Sequence, residues 1–203
     1  MVTPKTNQSM DKKTEKHPLE PFLPQNARIL MLGSFPPPRA RWSMEFFYPN
    51  WQNDMWFLMG LLFFDDRNHF RFKEEKRFDK ETVVEFCNSK GIALYDTACE
   101  VVRLKENASD KFLEIETATD IEALLEKLPC CTAIVTTGQK ATDTIVKRFG
   151  CTQPVMGSKS TLRIGERTYN FWRMPSTSRA YPLALEKKAA YYQSMFLHEG
   201  MSL

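Results

Sequence analysis

Arg28-Ile-Leu-Met-Leu-Gly33 is a continuous apolar run closed by a glycine. A strand that is apolar at every position has both faces covered, the pattern of a buried strand in a parallel sheet. The run leads into Ser34-Phe35-Pro36-Pro37-Pro38, where three consecutive prolines prevent a helix. Working outward, similar short runs recur at Ile92-Ala-Leu-Tyr95, Thr132-Ala-Ile-Val-Thr136 and Asn170-Phe-Trp-Arg-Met174. Helical patterns separate them. Asp54 to Phe64 is apolar at near-helical spacing, with Asn50 or Asn53 placed to cap it. Asp79 to Ser89 is amphipathic and stops near Gly91, and Thr119-Asp-Ile-Glu122 has the spacing of a capping box opening a helix to Leu128. A fourth helix begins at Gly138 and closes at Gly150, and a fifth begins near Pro182. Strands alternating with helices predict an α/β fold: a three-layer α/β/α sandwich around a four-stranded, mostly parallel sheet. Ligands of such sheets sit outside the C-terminal ends of the strands, which singles out the loops 33–53, 96–103, 137–140 and 174–182.

Composition sets the outer limits. The 203 residues are 42% hydrophobic and 26% charged, ordinary for a globular chain of one domain. Residues 1–20 are polar and dotted with lysine, and read as a flexible N-terminal arm before a single domain over 21–203. That segment lacks the apolar core of a secretory signal, and no run reaches the length of a membrane span, so a cytoplasmic protein with no membrane partner is expected. Cys87, Cys99, Cys130, Cys131 and Cys151 include no Cys-x-x-Cys pair, and His17, His69 and His198 are scattered. Neither a metal nor any other cofactor is expected. Charge is uneven: residues 139–190 carry ten basic against three acidic side chains, net +7, whereas 106–128 carry net −5. Such a division suits a protein with a phosphate-facing side, and equally a surface whose charge is unevenly scattered.

Gly33-Ser-Phe-Pro36, followed by Phe46-Phe-Tyr-Pro-Asn-Trp-Gln-Asn-Asp-Met-Trp56, resembles the first signature of the uracil-DNA glycosylase superfamily. The closest branch is the hypoxanthine (deoxyinosine) DNA glycosylases, with a Gly-Ser-Phe-Pro loop and an aromatic segment ending Gln-Asn-Arg-Phe-Trp. Gly91-Ile-Ala-Leu-Tyr-Asp96 is similar to that branch's second strand, and Pro175-Ser-Thr-Ser178 to the loop before its last helix. The resemblance spans roughly residues 28–197 with the motifs in order. It implies a uracil-DNA glycosylase-like fold and a monofunctional DNA N-glycosylase, a hydrolase of base-excision repair. The substrate would be DNA containing hypoxanthine or uracil, acted on by a monomer. A DNA- or base-binding relative without turnover is the alternative. A nucleotide hydrolase on a similar sheet is disfavoured, because no Walker-type lysine loop is present.

The resemblance also assigns roles. Asn53 would position water or stabilise the transition state; an ordinary helix cap is the other reading. Asp96 would read the base edge, taking N1–H of hypoxanthine or N3–H of uracil because an ionised carboxylate only accepts; otherwise it caps a turn. Gly33, Ser34 and Phe35 would offer backbone N–H groups and cover the base, and Phe47 and Tyr48 would supply stacking faces. Ser176, Thr177, Ser178, Arg179 and Tyr181 would contact DNA, as would Gly138 and Lys140. Asn50-Trp51 stands where the relatives carry His-Pro, Asp54 where they carry Arg, and Arg179 and Tyr181 where they carry Pro and Asn. Phe35 occupies the place of a water-activating Asp or Asn in other branches.

Overall fold

A computed structural model describes residues 13–72, 74–105 and 110–203. Its elements in chain order are β1 (Thr14–Lys16), β2 (Ile29–Gly33), α1 (Met55–Phe64), α2 (Lys80–Lys90), β3 (Ile92–Asp96), β4 (Ala98–Arg103) and β5 (Leu113–Ala118). They continue with α3 (Ile121–Glu126), β6 (Ala133–Thr137), α4 (Gln139–Phe149), β7 (Ser158–Ile164), β8 (Arg167–Met174) and α5 (Leu185–His198). The main sheet runs β3-β2-β6-β8-β7. The pairs β3–β2, β2–β6 and β6–β8 are parallel, in register through Ile29↔Ile92, Ile29↔Ala133 and Ala133↔Asn170.

Ile29, Leu30, Met31 and Leu32 have no exposed surface. Each such burial stabilises the fold by roughly 1.5–3 kcal/mol before chain entropy is charged against it. The step from β2 to β3 goes one way across the sheet; those from β3 to β6 and from β6 to β8 go the other. Right-handed crossovers then place α1 and α2 on one face and α3 and α4 on the opposite face. Helix α5 returns against α1 and β8.

Local chemistry sets the helix ends. The Asp79 carboxylate accepts from the Glu81 and Thr82 amides at the start of α2, and Gly91 ends it with φ +65°. Gly150 closes α4 with φ +60°, a left-handed conformation that costs glycine nothing. Helix α3 departs from the expected capping box: Asp120, not Thr119, accepts from the Ala123 amide. The Thr119 hydroxyl donates instead to the Asp96 carbonyl at 2.7 Å.

Two parts of the architecture differ from the sequence reading. The main sheet has five strands and is mixed, because β7 adds antiparallel to β8. Its burial alternates with exposed Lys159, Thr161 and Arg163, as an edge strand's must. A second sheet, β1-β4-β5, is antiparallel and carries a small core of Ala98, Val101 and Leu113 against Phe35. Residues 1–12 of the expected arm lie outside the described residues, but from Thr14 the chain belongs to this second sheet. β1 pairs with β4 through Thr14↔Val102 to Lys16↔Glu100, and the His17 amide donates to Cys99 O at 2.7 Å. The arm's boundary at residue 20 is therefore too late: backbone pairing orders residues that have no apolar periodicity to announce them.

Candidate active site

The C-terminal ends of β2, β3, β6 and β8 open into one cavity of about 620 Å³, room for a nucleoside-sized ligand. It lies where the chain's crossovers diverge, between β2 and β6, which is where open parallel sheets bind ligands. Gly33, Ser34, Phe35, Phe47, Tyr48, Asn53 and Asp96 all line it. Ser176, Thr177, Ser178, Arg179 and Tyr181 line it from the other side. The structure thus gathers residues from positions 33 to 181 around one space.

Asp96 forms the floor. It is 7% exposed, and its Oδ1 stands 2.3 Å from where a Cβ on Gly33 would be, so glycine is required for the carboxylate to lie over the strand end. The Tyr48 hydroxyl is 3.8 Å from the same point and bonds Thr137 Oγ1 at 3.0 Å, tying the 46–50 segment to β6. Burial and the nearby Asp96 charge raise the Tyr48 pKa well above the usual phenol range, so this wall stays neutral. Tyr48 holds φ +50°, a strained backbone for a residue with a Cβ, of the kind found where function fixes geometry. Behind the floor, Asp96 Oδ2 lies 2.9 Å from His17 Nε2, and the His17 side chain is 2% exposed. The sequence showed no link between these residues, 79 positions apart.

Asp110 was also missed. It sits in a short 3-10 turn within the connection from β4 to β5, lines the cavity, and accepts from the Ser34 hydroxyl at 2.7 Å. Although it keeps solvent access, desolvation by the surrounding protein raises its pKa; the Ser34 bond opposes this and the Asp96 charge adds to it. A carboxylate therefore does face the cavity, supplied by the second sheet rather than by the loop after β2. Lys111 and Arg41 place positive charge at the same rim.

The N-cap of α1 is Asp54, whose side chain makes no cap bond; Asn53 Oδ1 accepts from the Met55 amide at 2.9 Å in a turn just before the helix, while the residue still lines the cavity. Asp54, the departure from arginine, is matched by the departure at Arg179. Arg179 Nε donates to Asp54 Oδ1 at 2.8 Å, and its guanidinium lies 4.9 Å over the Phe57 ring. The fully buried Lys188 donates to Asp54 Oδ2 and to Ser178 O, both at 2.9 Å. With the Asp54 amide on Thr177 O at 2.7 Å, these bonds clamp the loop after β8 onto the start of α1.

The remaining expected DNA contacts divide. Thr177 is 2% exposed, so its side chain faces inward, whereas Ser176 and Ser178 are half-buried and cap local turns. The Tyr181 hydroxyl meets Met156 Sδ at 3.0 Å. Gly138, with φ +140°, approaches Ser176 at the start of α4 without lining the cavity. Lys140 also stays outside it, donating to Leu113 O at 2.7 Å and so fastening β5 to α4. Among the described residues no cluster of three or more His, Cys, Asp or Glu is placed to hold a metal ion. None of their helices is long and apolar enough to cross a membrane.

Neither a family model nor a curated protein matches the sequence. Among solved structures, the chain is similar to a protein of Methanosarcina acetivorans determined by solution NMR and described as a "putative Uracil DNA glycosylase". The TM-score is 0.62 at 21% identity, covering 93% of this chain and 100% of the other. The chain therefore shares, over nearly its whole length, the fold of a protein so described.

Proposed function

We propose that the chain is a monofunctional DNA glycosylase that hydrolyses the N-glycosidic bond of a deaminated base, hypoxanthine or uracil, and so initiates base-excision repair. The observation that carries this reading is Asp96 Oδ1 on the floor of a nucleoside-sized cavity, over Gly33 and beside Tyr48. A base drawn out of the duplex would enter between the aromatic walls of Phe47 and Tyr48. Asp96 would take the N1–H of hypoxanthine or the N3–H of uracil, and the backbone of Gly33–Phe35 would meet the adjacent carbonyl.

Bond cleavage leaves a cationic sugar, which needs an oriented water more than a strong nucleophile. Asn53, fixed by its bond to the Met55 amide, presents an amide for that purpose, and Asp110 adds a carboxylate to stabilise the cation and polarise the water. Ser176 and Ser178 would hold the flanking phosphates.

Single-turnover excision from labelled duplexes containing deoxyinosine or deoxyuridine, without divalent metal, tests the reading. The wild-type chain generates abasic sites. Asn53→Ala lowers the rate about 100-fold with DNA affinity retained, the usual scale for losing a transition-state contact. Asp110→Asn lowers it about tenfold and removes the acid limb of the pH profile. Asp110 must be ionised to act, so the wild-type rate falls as pH drops through its raised pKa, above the usual carboxylate value of about 4. Salt-sensitive DNA binding with every base left intact would instead identify a binding protein on this fold.

A further inference from the structure

We infer that His17 is a specificity-determining residue, which holds Asp96 with Oδ1 turned to the cavity as a hydrogen-bond acceptor and so restricts the site to bases that present an N–H. The inference deepens the glycosylase reading and rests on it. A free aspartate could rotate, or present a protonated oxygen to a base that carries a bare ring nitrogen. Here one oxygen is already engaged: Oδ2 lies 2.9 Å from His17 Nε2. The other end of the imidazole is held by Leu19, whose carbonyl lies 2.8 Å and whose amide lies 3.2 Å from Nδ1.

If Asp96 is ionised it can only accept, so Nε2 carries the proton of that bond whichever Leu19 group Nδ1 meets. The proton stays behind the carboxylate, and Oδ1 is left to accept from the ligand. Hypoxanthine, xanthine and uracil offer N–H at that edge. Adenine N1 and cytosine N3 offer lone pairs, which would face the carboxylate oxygen unpaired.

The imidazole is built into the protein for this contact. Its ring centroid lies 4.5 Å from Tyr95, 5.3 Å from Phe35 and 6.2 Å from Phe47, and its backbone is fixed by the bond to Cys99 O. The strand before it is pinned by ion pairs of Glu15 with Arg103 and Lys16 with Glu100. A buried imidazole could serve packing alone, but packing needs neither nitrogen. The pairing of Nε2 with the one carboxylate on the cavity floor is what a phenylalanine could not reproduce.

The test compares wild type, His17→Phe and His17→Gln, each checked for cooperative melting. Excision of deoxyinosine is measured beside that of deoxyadenosine, whose N1 is a bare lone pair. Binding of free hypoxanthine and adenine is measured in parallel. The wild type prefers hypoxanthine at least about tenfold, the scale of a hydrogen bond to a charged group. His17→Phe brings the preference within about twofold and lowers kcat/KM for deoxyinosine, with unchanged affinity for undamaged DNA. His17→Gln, which keeps a donor, restores most of the preference. If His17→Phe does not fold, His17→Leu replaces it. A folded donor-less variant that keeps the wild-type preference overturns the inference while leaving the glycosylase reading intact. A wild-type chain that excises no base from any duplex overturns both.

Discussion

Replacing Gly33 with alanine is expected to lower turnover by about 100-fold or more while the protein remains folded. The added Cβ would stand 2.3 Å from Asp96 Oδ1 and 3.5 Å from its Cγ, the first far inside any normal contact. Asp96 has little freedom to withdraw, because His17 holds Oδ2 and the Thr119 hydroxyl holds its carbonyl. The two strands cannot simply part either, since Gly33 and Asp96 are register partners in the β2–β3 ladder. The methyl group therefore displaces the carboxylate from the floor and occupies part of the space a base would use. Overpacking of this kind costs about 1–3 kcal/mol of stability, small enough to leave a native fold. Single-turnover excision, with DNA affinity measured beside it, separates the effects. A rate within twofold of wild type would mean that the base does not sit over Gly33.

The largest effect on stability is expected from Lys188→Met, at about 3–5 kcal/mol, the cost of removing one partner from a buried ion pair. Lys188 has no exposed surface, and it joins Asp54 at the head of α1 to Ser178 O in the loop after β8. Methionine nearly matches the volume but leaves Asp54, itself 7% exposed, with only Arg179. Thermal unfolding should shift down by roughly 10 °C for a chain of this size. The double variant Asp54→Leu, Lys188→Met should recover much of the loss, since the charge left over, on Arg179, is 40% exposed and readily solvated. A single variant that melts within 2–3 °C of wild type, about 1 kcal/mol, would show that the clamp is not a stabilising feature.

The same clamp shows how far the sequence could be read. Asp54 and Arg179 looked like two separate losses from the resembling pattern, and the fold makes them partners across 125 positions. Strands β2, β3 and β6 were legible because each is buried along its whole length and mostly apolar, and β8 because Phe171 and Trp172 form a buried pair within it. Strand β7 was not, because one of its faces meets solvent and the charged residues there look like loop. Gly165, with φ +58° in the tight turn joining β7 to β8, was the available signal.

The residues expected from the motif-bearing loops, from Gly33 to Tyr181, lie around one cavity. His17 and Asp110 were missed for a physical reason. Both reach the site through the second sheet, whose three strands are short, half-exposed and interrupted by a bulge near Glu100. His17 lies in a polar segment whose order comes from backbone pairing to β4, and Asp110 in the acidic stretch whose net charge gave no hint of a carboxylate facing the cavity. Arg179 was read as a DNA contact that enters the duplex or holds the strand beside the lesion, and Lys140 as a phosphate contact, because a basic side chain in the first turn of a helix suits that role. The fold commits the first to Asp54 and the second to Leu113 O.

The central claim is that the cavity over Asp96 takes a deaminated base and releases it from DNA. Chromatography with mass detection of the small molecules freed from a deoxyinosine- or deoxyuridine-containing duplex tests it most directly. Free hypoxanthine or uracil should appear in amounts equal to the abasic sites formed, and Gly33→Ala should slow the appearance of both together by about 100-fold or more. Intact substrate after prolonged incubation with excess wild-type protein, on single- and double-stranded DNA alike, would contradict the claim.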